Sequence, residues 1–271
     1  MAQLLEFQQE GRRIAMEPSK IIRVSHGNTF VAYAPGEPLE GWIWDKVVSA
    51  AVERPLAPIR HFEENQFMAT LVNEAYAPKK WDLAGLQGIS DNTLQVHFGL
   101  YEGYVKNTNL LNEQLQEKIK AGQTTGADPQ FAEITRRLGF EYNGMVLHEY
   151  YFDNMTSKAA GAPTSGALHD ALAASYGDFE TWKKDFAGVG GMRGVGWAIA
   201  YQDPKSGRIS NHWVTLHEDG NVAGYKPILV MDVWEHAFLL DYKPSERSKY
   251  IESFFANVDW QTAESRLLVP R

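Results

Sequence analysis

The chain of 271 residues contains no cysteine. That absence excludes disulfides, thiolate metal ligands and cysteine nucleophiles together, so any metal must be held by histidine and carboxylate side chains. An excess of positive charge is missing too, the formal net charge being −8. Without a basic stripe to neutralise phosphates, a nucleic-acid partner is not expected, and an anionic substrate needs a local positive funnel. No apolar run approaches a membrane span, and the opening MAQLLEFQQEGRR lacks the basic-then-apolar order of a secretory signal. No membrane partner is expected, and the expected location is cytoplasmic. The glycine-rich turn from Gly188 to Gly196 lacks the Lys-Ser/Thr of a P-loop and the context of a dinucleotide fingerprint, which excludes phosphate cradling there.

What is present centres on Pro227 to Tyr242, PILVMDVWEHAFLLDY. Ile228 to Met231 is a short continuous apolar run behind a proline, the pattern of a buried strand. Asp232 ends it, and His236 follows four residues later, where the chain is expected to turn into an amphipathic helical segment from Trp234 to Leu240. A strand end and a first helical turn would fix a pair of metal ligands rigidly. The alternative is a buried Asp232 capping the helix, with His236 as its hydrogen-bonded partner.

Upstream, Ser90 or Asp91 caps a helical pattern in which Leu94, His97, Phe98, Tyr101, Tyr104 and Val105 recur at three- and four-residue steps, continuing to Gly122. After the loop GQTTGADP, a second helix runs from about Pro129 through Gly139 to Met155 and carries His148. Two antiparallel helices so joined would bring His97 and His148 together, as in bundle metal sites. Ala167 to Ser175, Asp178 to Ala187, Ser245 to Phe255 and Asp259 to Leu267 read as further helices. Trp197 to Gln202, Ile209 to Leu216 and Ile228 to Met231 read as a small antiparallel sheet. The expected class is α+β. A helical hairpin domain (79–159) precedes a domain with a three-stranded antiparallel sheet surrounded by helices (160–267). An extension (1–78) comes first, with one or two short strands in IIRVSHGNTFVAYAPG and a short helix from Trp42 to Val52. His26 and His61 in it read as ordinary loop or surface histidines, and residues 268–271 read as the remnant of a cleaved tag.

The motif DVWEHA, followed by an aromatic, an apolar pair and DYK, resembles the signature of the iron/manganese superoxide dismutase family. VHFGLYEGYVKN, NGMVLHEYYFDNM, GAPTSGALHDAL, FETWKKDFA and GVGWAIAY lie in the family's order, so the likeness covers roughly Lys79 to Leu267. The resemblance implies that His97, His148, Asp232 and His236 hold one iron or manganese ion per subunit, iron slightly favoured, with a water or hydroxide as fifth ligand. The implied substrate is superoxide, converted alternately to dioxygen and hydrogen peroxide. Trp197 and Trp234 match tryptophans that wall the pocket. Glu235 matches the acid that reaches across a homodimer to the partner's ligand histidine, and the assembly is a dimer or a higher oligomer.

This chain departs from the family's pattern at several positions. Many iron members carry Gln one helical turn before the second ligand histidine, where this chain has Gly144. His217 lies at the place from which manganese members supply Gln, and some iron-using relatives His, so it is expected to provide the hydrogen bond to solvent at the metal, with Tyr101 or Tyr104 as substitutes. The family's channel Tyr follows the first ligand by eight residues, whereas Tyr104 follows His97 by seven; Tyr101 stands where a His is expected, Leu239 where a Tyr is, and Phe152 where Trp is common. By helical geometry both tyrosines are able to face the metal. Two other functions compete: a non-redox or Fe(II) oxygen-chemistry site built from His148, Asp232 and His236, which leaves His97 idle, and a binding protein that keeps the fold without the chemistry.

Overall fold

The computed structural model describes residues 75–268 in full and, before them, the backbone of the strands between Leu4 and Val48. The chain divides into two compact units, Met1–Val72 and Asn73–Arg271. In the first, β1 (Leu4–Gln9) pairs antiparallel with both β2 (Arg12–Met16) and β7 (Ile43–Val48). Two small hairpins join β3 (Val24–His26) to β4 (Thr29–Val31) and β5 (Tyr33–Ala34) to β6 (Glu37–Pro38). The short strands expected in IIRVSHGNTFVAYAPG are therefore present. The helix expected over Trp42 to Val52 is not: Ile43, Trp44, Val47 and Val48 are β-branched or aromatic residues that favour a pleated partner, and β1 supplies one. His26 lies in β3, and His61 falls outside the described residues.

The second unit begins its regular structure with a helical hairpin. α1 spans Asp91–Lys120, capped by Ser90, whose hydroxyl accepts the Thr93 amide at 3.1 Å. It buries Thr93, Leu94, His97, Tyr101, Val105 and Thr108, one stripe at helical spacing. The helix closes at Gly122, whose φ of +67° a side chain would resist. α2 spans Pro129–Asp153, with Asp128 as N-cap and proline in the first turn, where a missing amide hydrogen costs nothing. Its buried residues include Gly144, Leu147, His148, Tyr151 and Phe152, facing α1.

Two helices, α3 (Ala167–Tyr176) and α4 (Phe179–Gly190), lead into the sheet, α4 capped by Asp178 as expected. The sheet is antiparallel in the order β10 (Lys226–Asp232), β8 (Gly196–Gln202), β9 (Ile209–Thr215). β8 is central and buried along its whole length, which is why GWAIAYQ shows little polar alternation. Pro227 sits in β10 beside an irregularity in the pairing with β8, at the edge of the sheet, where a residue without an amide hydrogen is tolerated. Two short helices, α5 (Arg247–Ala256) and α6 (Trp260–Ser265), complete the order. Among the described residues no helix is long and apolar enough to cross a membrane.

One buried side chain ties hairpin, sheet and last helix together. Asn154, just past α2, accepts the Val230 amide on β10 at 3.0 Å and an Arg266 guanidinium hydrogen at 3.3 Å, and its carbonyl accepts the Asp259 amide. The end of α2 is thereby fixed to β10, so His148 and Asp232 are held by elements that cannot slide independently. Leu268 also belongs to the fold, exchanging hydrogen bonds with the Gln202 side chain at 2.7 and 3.3 Å. Residues 269–271 lie outside the described part.

Candidate metal centre

The four side chains expected as ligands converge. His97 comes from α1, His148 from α2, Asp232 from the end of β10 and His236 from the turn that follows. One ligand atom from each lies within 4.8 Å of all the others. The Nε2 atoms of His97, His236 and His148 stand 3.1, 3.2 and 3.6 Å from Asp232 Oδ2. His97, His148 and Asp232 are essentially inaccessible to water, and His236 is partly covered.

The turn that carries His236 differs from the expectation. After β10 the chain makes a single 3-10 turn, Glu235–Ala237, rather than an amphipathic helix from Trp234 to Leu240. Sheet bonding continues past Asp232, the Val233 amide donating to the Gly196 carbonyl at 2.9 Å, and Trp234 remains extended at φ −66° and ψ 155°, its amide donating to Asp232 Oδ1 at 2.7 Å. That bond also leaves Oδ2 as the oxygen facing the histidines. Behind it, Tyr250 donates to the Asp232 carbonyl at 2.6 Å, with the Tyr151 hydroxyl 3.1 Å further on.

The site fits a metal ion on the evidence of its own atoms. His148 Nδ1 donates to the Gly144 carbonyl at 2.6 Å, which assigns its proton to Nδ1 and leaves Nε2 with a lone pair. That Nε2 is buried and has no hydrogen-bond partner. A buried acceptor without a donor is costly in a protein interior, and a cation placed among the three Nε2 atoms and Oδ2 satisfies it. Donors at about 2.0–2.2 Å from one ion lie roughly 3–4 Å apart, close to the spacing observed. Electrostatics agree. Burial, the largest influence, pushes the His97 and His148 pKa values down, so both imidazoles are neutral and able to bind a cation. Burial alone would raise the Asp232 pKa, but the neighbouring His236 and His97 overcome it and hold the carboxyl well below its usual range. Three imidazoles and one carboxylate suit iron, manganese or zinc.

Aromatic rings enclose the cluster. Trp197 meets His148 edge to face with centroids 4.9 Å apart, Phe152 meets His97 likewise at 4.9 Å, and Trp234 stacks on His217 at 4.9 Å. His217 is fully buried and stands just after Leu216, a non-glycine residue at φ +56°. That left-handed step costs on the order of 1 kcal/mol and turns the chain after β9 so that the imidazole faces inward. Trp197 Nε1 donates to His217 Nδ1 at 3.1 Å, so the neutral ring carries its proton on Nε2 and donates it to the Tyr104 hydroxyl at 2.8 Å. Burial pulls the His217 pKa down to about 4, which keeps the ring neutral, and burial raises the Tyr104 pKa, which keeps the phenol protonated.

The two tyrosines expected on this face separate. Tyr104 stacks on His148 with centroids 5.1 Å apart and stands next to His217. Tyr101 is buried but turns its hydroxyl away, accepting the Lys79 amide at 2.9 Å and donating to Glu149 at 3.1 Å. Three residues on a helix are enough to move the ring from the pocket to the hairpin's flank, where Trp81 and Phe152 pack on it. No sequence pattern announces this Lys79, Tyr101 and Glu149 group, in which Lys79 and Glu149 also form an ion pair at 2.8 Å. Burial and the adjacent carboxylate carry no local sequence signature. Glu235 is exposed, and its carboxylate has no partner among the described residues.

Fold and site define a metalloprotein in which a helical hairpin and a three-stranded sheet clamp one buried centre of three histidines and an aspartate. The profile described as iron/manganese superoxide dismutases, C-terminal domain, matches residues 164–266. The iron superoxide dismutase of Saccharolobus solfataricus is 35% identical over 183 residues, covering 66% of this chain and 85% of that protein. Manganese superoxide dismutase 2 of Haloferax volcanii is 34% identical over 179 residues, 66% of this chain and 86% of its own length. The iron enzyme of Aquifex pyrophilus is 33% identical over 184 residues, with 67% and 85% covered. The chain belongs to the iron/manganese superoxide dismutase family.

Proposed function

We propose that His97, His148, Asp232 and His236 are the protein ligands of the single iron or manganese ion at which this superoxide dismutase converts superoxide to dioxygen and hydrogen peroxide. The observation that carries the assignment is the orphaned, buried His148 Nε2 facing Asp232 Oδ2 and two further imidazole nitrogens. The chemistry supplied when the ion is bound is alternate one-electron oxidation of one superoxide and reduction of the next, the reduction consuming two protons. The chain's own residues orient the site and handle those protons. Gly144 fixes the His148 tautomer, Trp234 fixes Asp232 Oδ1, and Tyr250 braces the Asp232 carbonyl.

The proton path ends on Tyr104. Because His217 spends its only N–H on the Tyr104 oxygen, the phenolic hydrogen is free to donate toward substrate, whereas His217 acts one step behind. On this reading His217 acts through Tyr104 rather than directly, and Tyr101, whose hydroxyl turns to Lys79 and Glu149, has no part in the step. Iron is favoured slightly over manganese, on the family likeness alone.

The dimer is supported by exposed groups around the site. Glu235 lies beside His236, and Val96 and Leu100 on α1, together with Leu239 and Leu240 after the 3-10 turn, are apolar and exposed. α1 packs against that turn, so these side chains belong to neighbouring parts of the surface. In a symmetric pair, Glu235 of each subunit would accept from the other's ligand imidazole at its second nitrogen. Cytoplasmic residence is the accompanying expectation. Metal analysis of purified protein, with superoxide consumption measured on the same sample, tests the assignment. Stoichiometric iron or manganese with proportionate activity is expected, and zinc alone without activity would defeat it.

A further inference from the structure

Gly144 sits one turn before the ligand His148, and a side chain is missing there for a reason visible in the packing. A Cβ at that position would lie 2.6, 2.8 and 3.0 Å from Cδ1, Cε1 and Cγ of Tyr104. Carbon atoms do not approach so closely, so the tyrosine ring occupies the volume that any residue other than glycine would fill. The ring has nowhere easy to retreat. It stacks on His148 with centroids 5.1 Å apart and 29° between planes, meets His217 edge to face at 4.8 Å, and is tethered at its oxygen by His217 Nε2 at 2.8 Å. Phe140, one turn earlier on α2, approaches Tyr104 at 6.2 Å and His217 at 4.6 Å.

We propose that Gly144 is a positioning residue for the dismutation reaction: the absence of its side chain admits the Tyr104 ring against His148 and so places the Tyr104 hydroxyl on His217. The proposal rests on the four-ligand reading above for its functional meaning, but not for its geometry. Tyr104 arrives seven residues after His97 along an unbroken α-helix, and at that register the ring fits only over a residue without a Cβ. The carbonyl of Gly144 has a separate task, accepting from His148 Nδ1. Alanine would keep that carbonyl, so Gly144→Ala isolates the missing side chain from the missing proton acceptor.

Two coupled comparisons test this. In metal-free protein, Gly144→Ala is expected to lower the thermal midpoint by about 2–6 °C through overpacking against Tyr104. Combined with Tyr104→Val, which vacates the space, the same alanine should cost little or nothing. In metal-loaded protein at matched metal content, Gly144→Ala should lose turnover by the same factor as Tyr104→Phe, and the double variant Gly144→Ala/Tyr104→Phe should lose no more than either. Additive stability losses, or an alanine variant with wild-type turnover and midpoint, would overturn the proposal. If the ligand assignment alone is wrong, the coupling persists in metal-free protein while wild type retains no stoichiometric metal. If Gly144→Ala does not fold, the comparison of Tyr104→Val with Gly144→Ala/Tyr104→Val still decides: equal midpoints support the proposal, and a large further loss refutes it.

Discussion

His217 gives the most quantitative test of how the centre is buried. In the folded protein its pKa is drawn down to about 4 from an ordinary 6.5, burial being the largest cause. The unfolded chain therefore binds a proton at His217 below pH 6.5, whereas the folded chain stays neutral there until about pH 4. Stability falls as pH falls wherever the unfolded state holds more protons, so the loss begins near pH 6.5 and is complete below pH 4. Between pH 7 and pH 5 the contribution of this one residue is about 2 kcal/mol. His97 and His148 are shifted in the same direction and steepen the loss in wild type and variant alike. Asp232, held low, contributes its own loss only below about pH 5, where an unfolded carboxylate begins to titrate. Urea unfolding of metal-free protein at the two pH values, for wild type and His217→Gln, isolates the term. The variant should lose about 2 kcal/mol less on acidification, a difference of roughly 1 M in midpoint. Identical pH dependence in the two proteins would refute the placement of His217 as a buried neutral imidazole between Trp197 and Tyr104.

Other substitutions separate the remaining roles. Asp232→Ala should abolish metal retention as well as activity, because it removes the oxygen shared by all three imidazoles; stoichiometric metal in that variant would exclude Asp232 as a ligand. Glu235→Ala should shift the sedimentation equilibrium toward monomer and weaken metal retention, and a wild-type protein that sediments as a monomer at micromolar concentration would remove the basis for this. Tyr101→Phe should cost about 1 kcal/mol in unfolding free energy through its lost hydrogen bonds while leaving turnover per metal unchanged. A loss of turnover in that variant would return Tyr101 to the reaction.

Much of this arrangement was legible in the sequence, for physical reasons that differ between elements. α1 declares itself by a cap at Ser90 and an apolar stripe at helical spacing and α2 by its start near Pro129, and the hairpin they form carries His97 and His148 to a shared face. β8 and β10 are continuous apolar runs whose ends are marked by polar residues. What misled was local chemistry overruled by a partner. The expected helix at Trp234 gives way to strand-like backbone held by the Val233 amide on Gly196, and the expected helix at Trp42 is replaced by pairing of Ile43–Val48 with Leu4–Gln9. Tyr101 and Tyr104 both satisfy the helical spacing, but only contacts from Lys79, Glu149 and His217, distant in sequence, decide which hydroxyl meets the centre. The role of Gly144 as the seat of the Tyr104 ring is of the same kind, since a glycine in a helix announces space without saying what fills it.

One ion held by these four residues is expected to disproportionate superoxide. Stopped-flow decay of superoxide, followed with protein loaded with iron or manganese and quantified by metal content, measures this directly. The expected result is decay first order in superoxide, at a rate proportional to bound metal, with one hydrogen peroxide formed for every two superoxide consumed and no acceleration by Asp232→Ala. Uncatalysed second-order decay in the presence of stoichiometrically metallated wild-type protein would contradict the account.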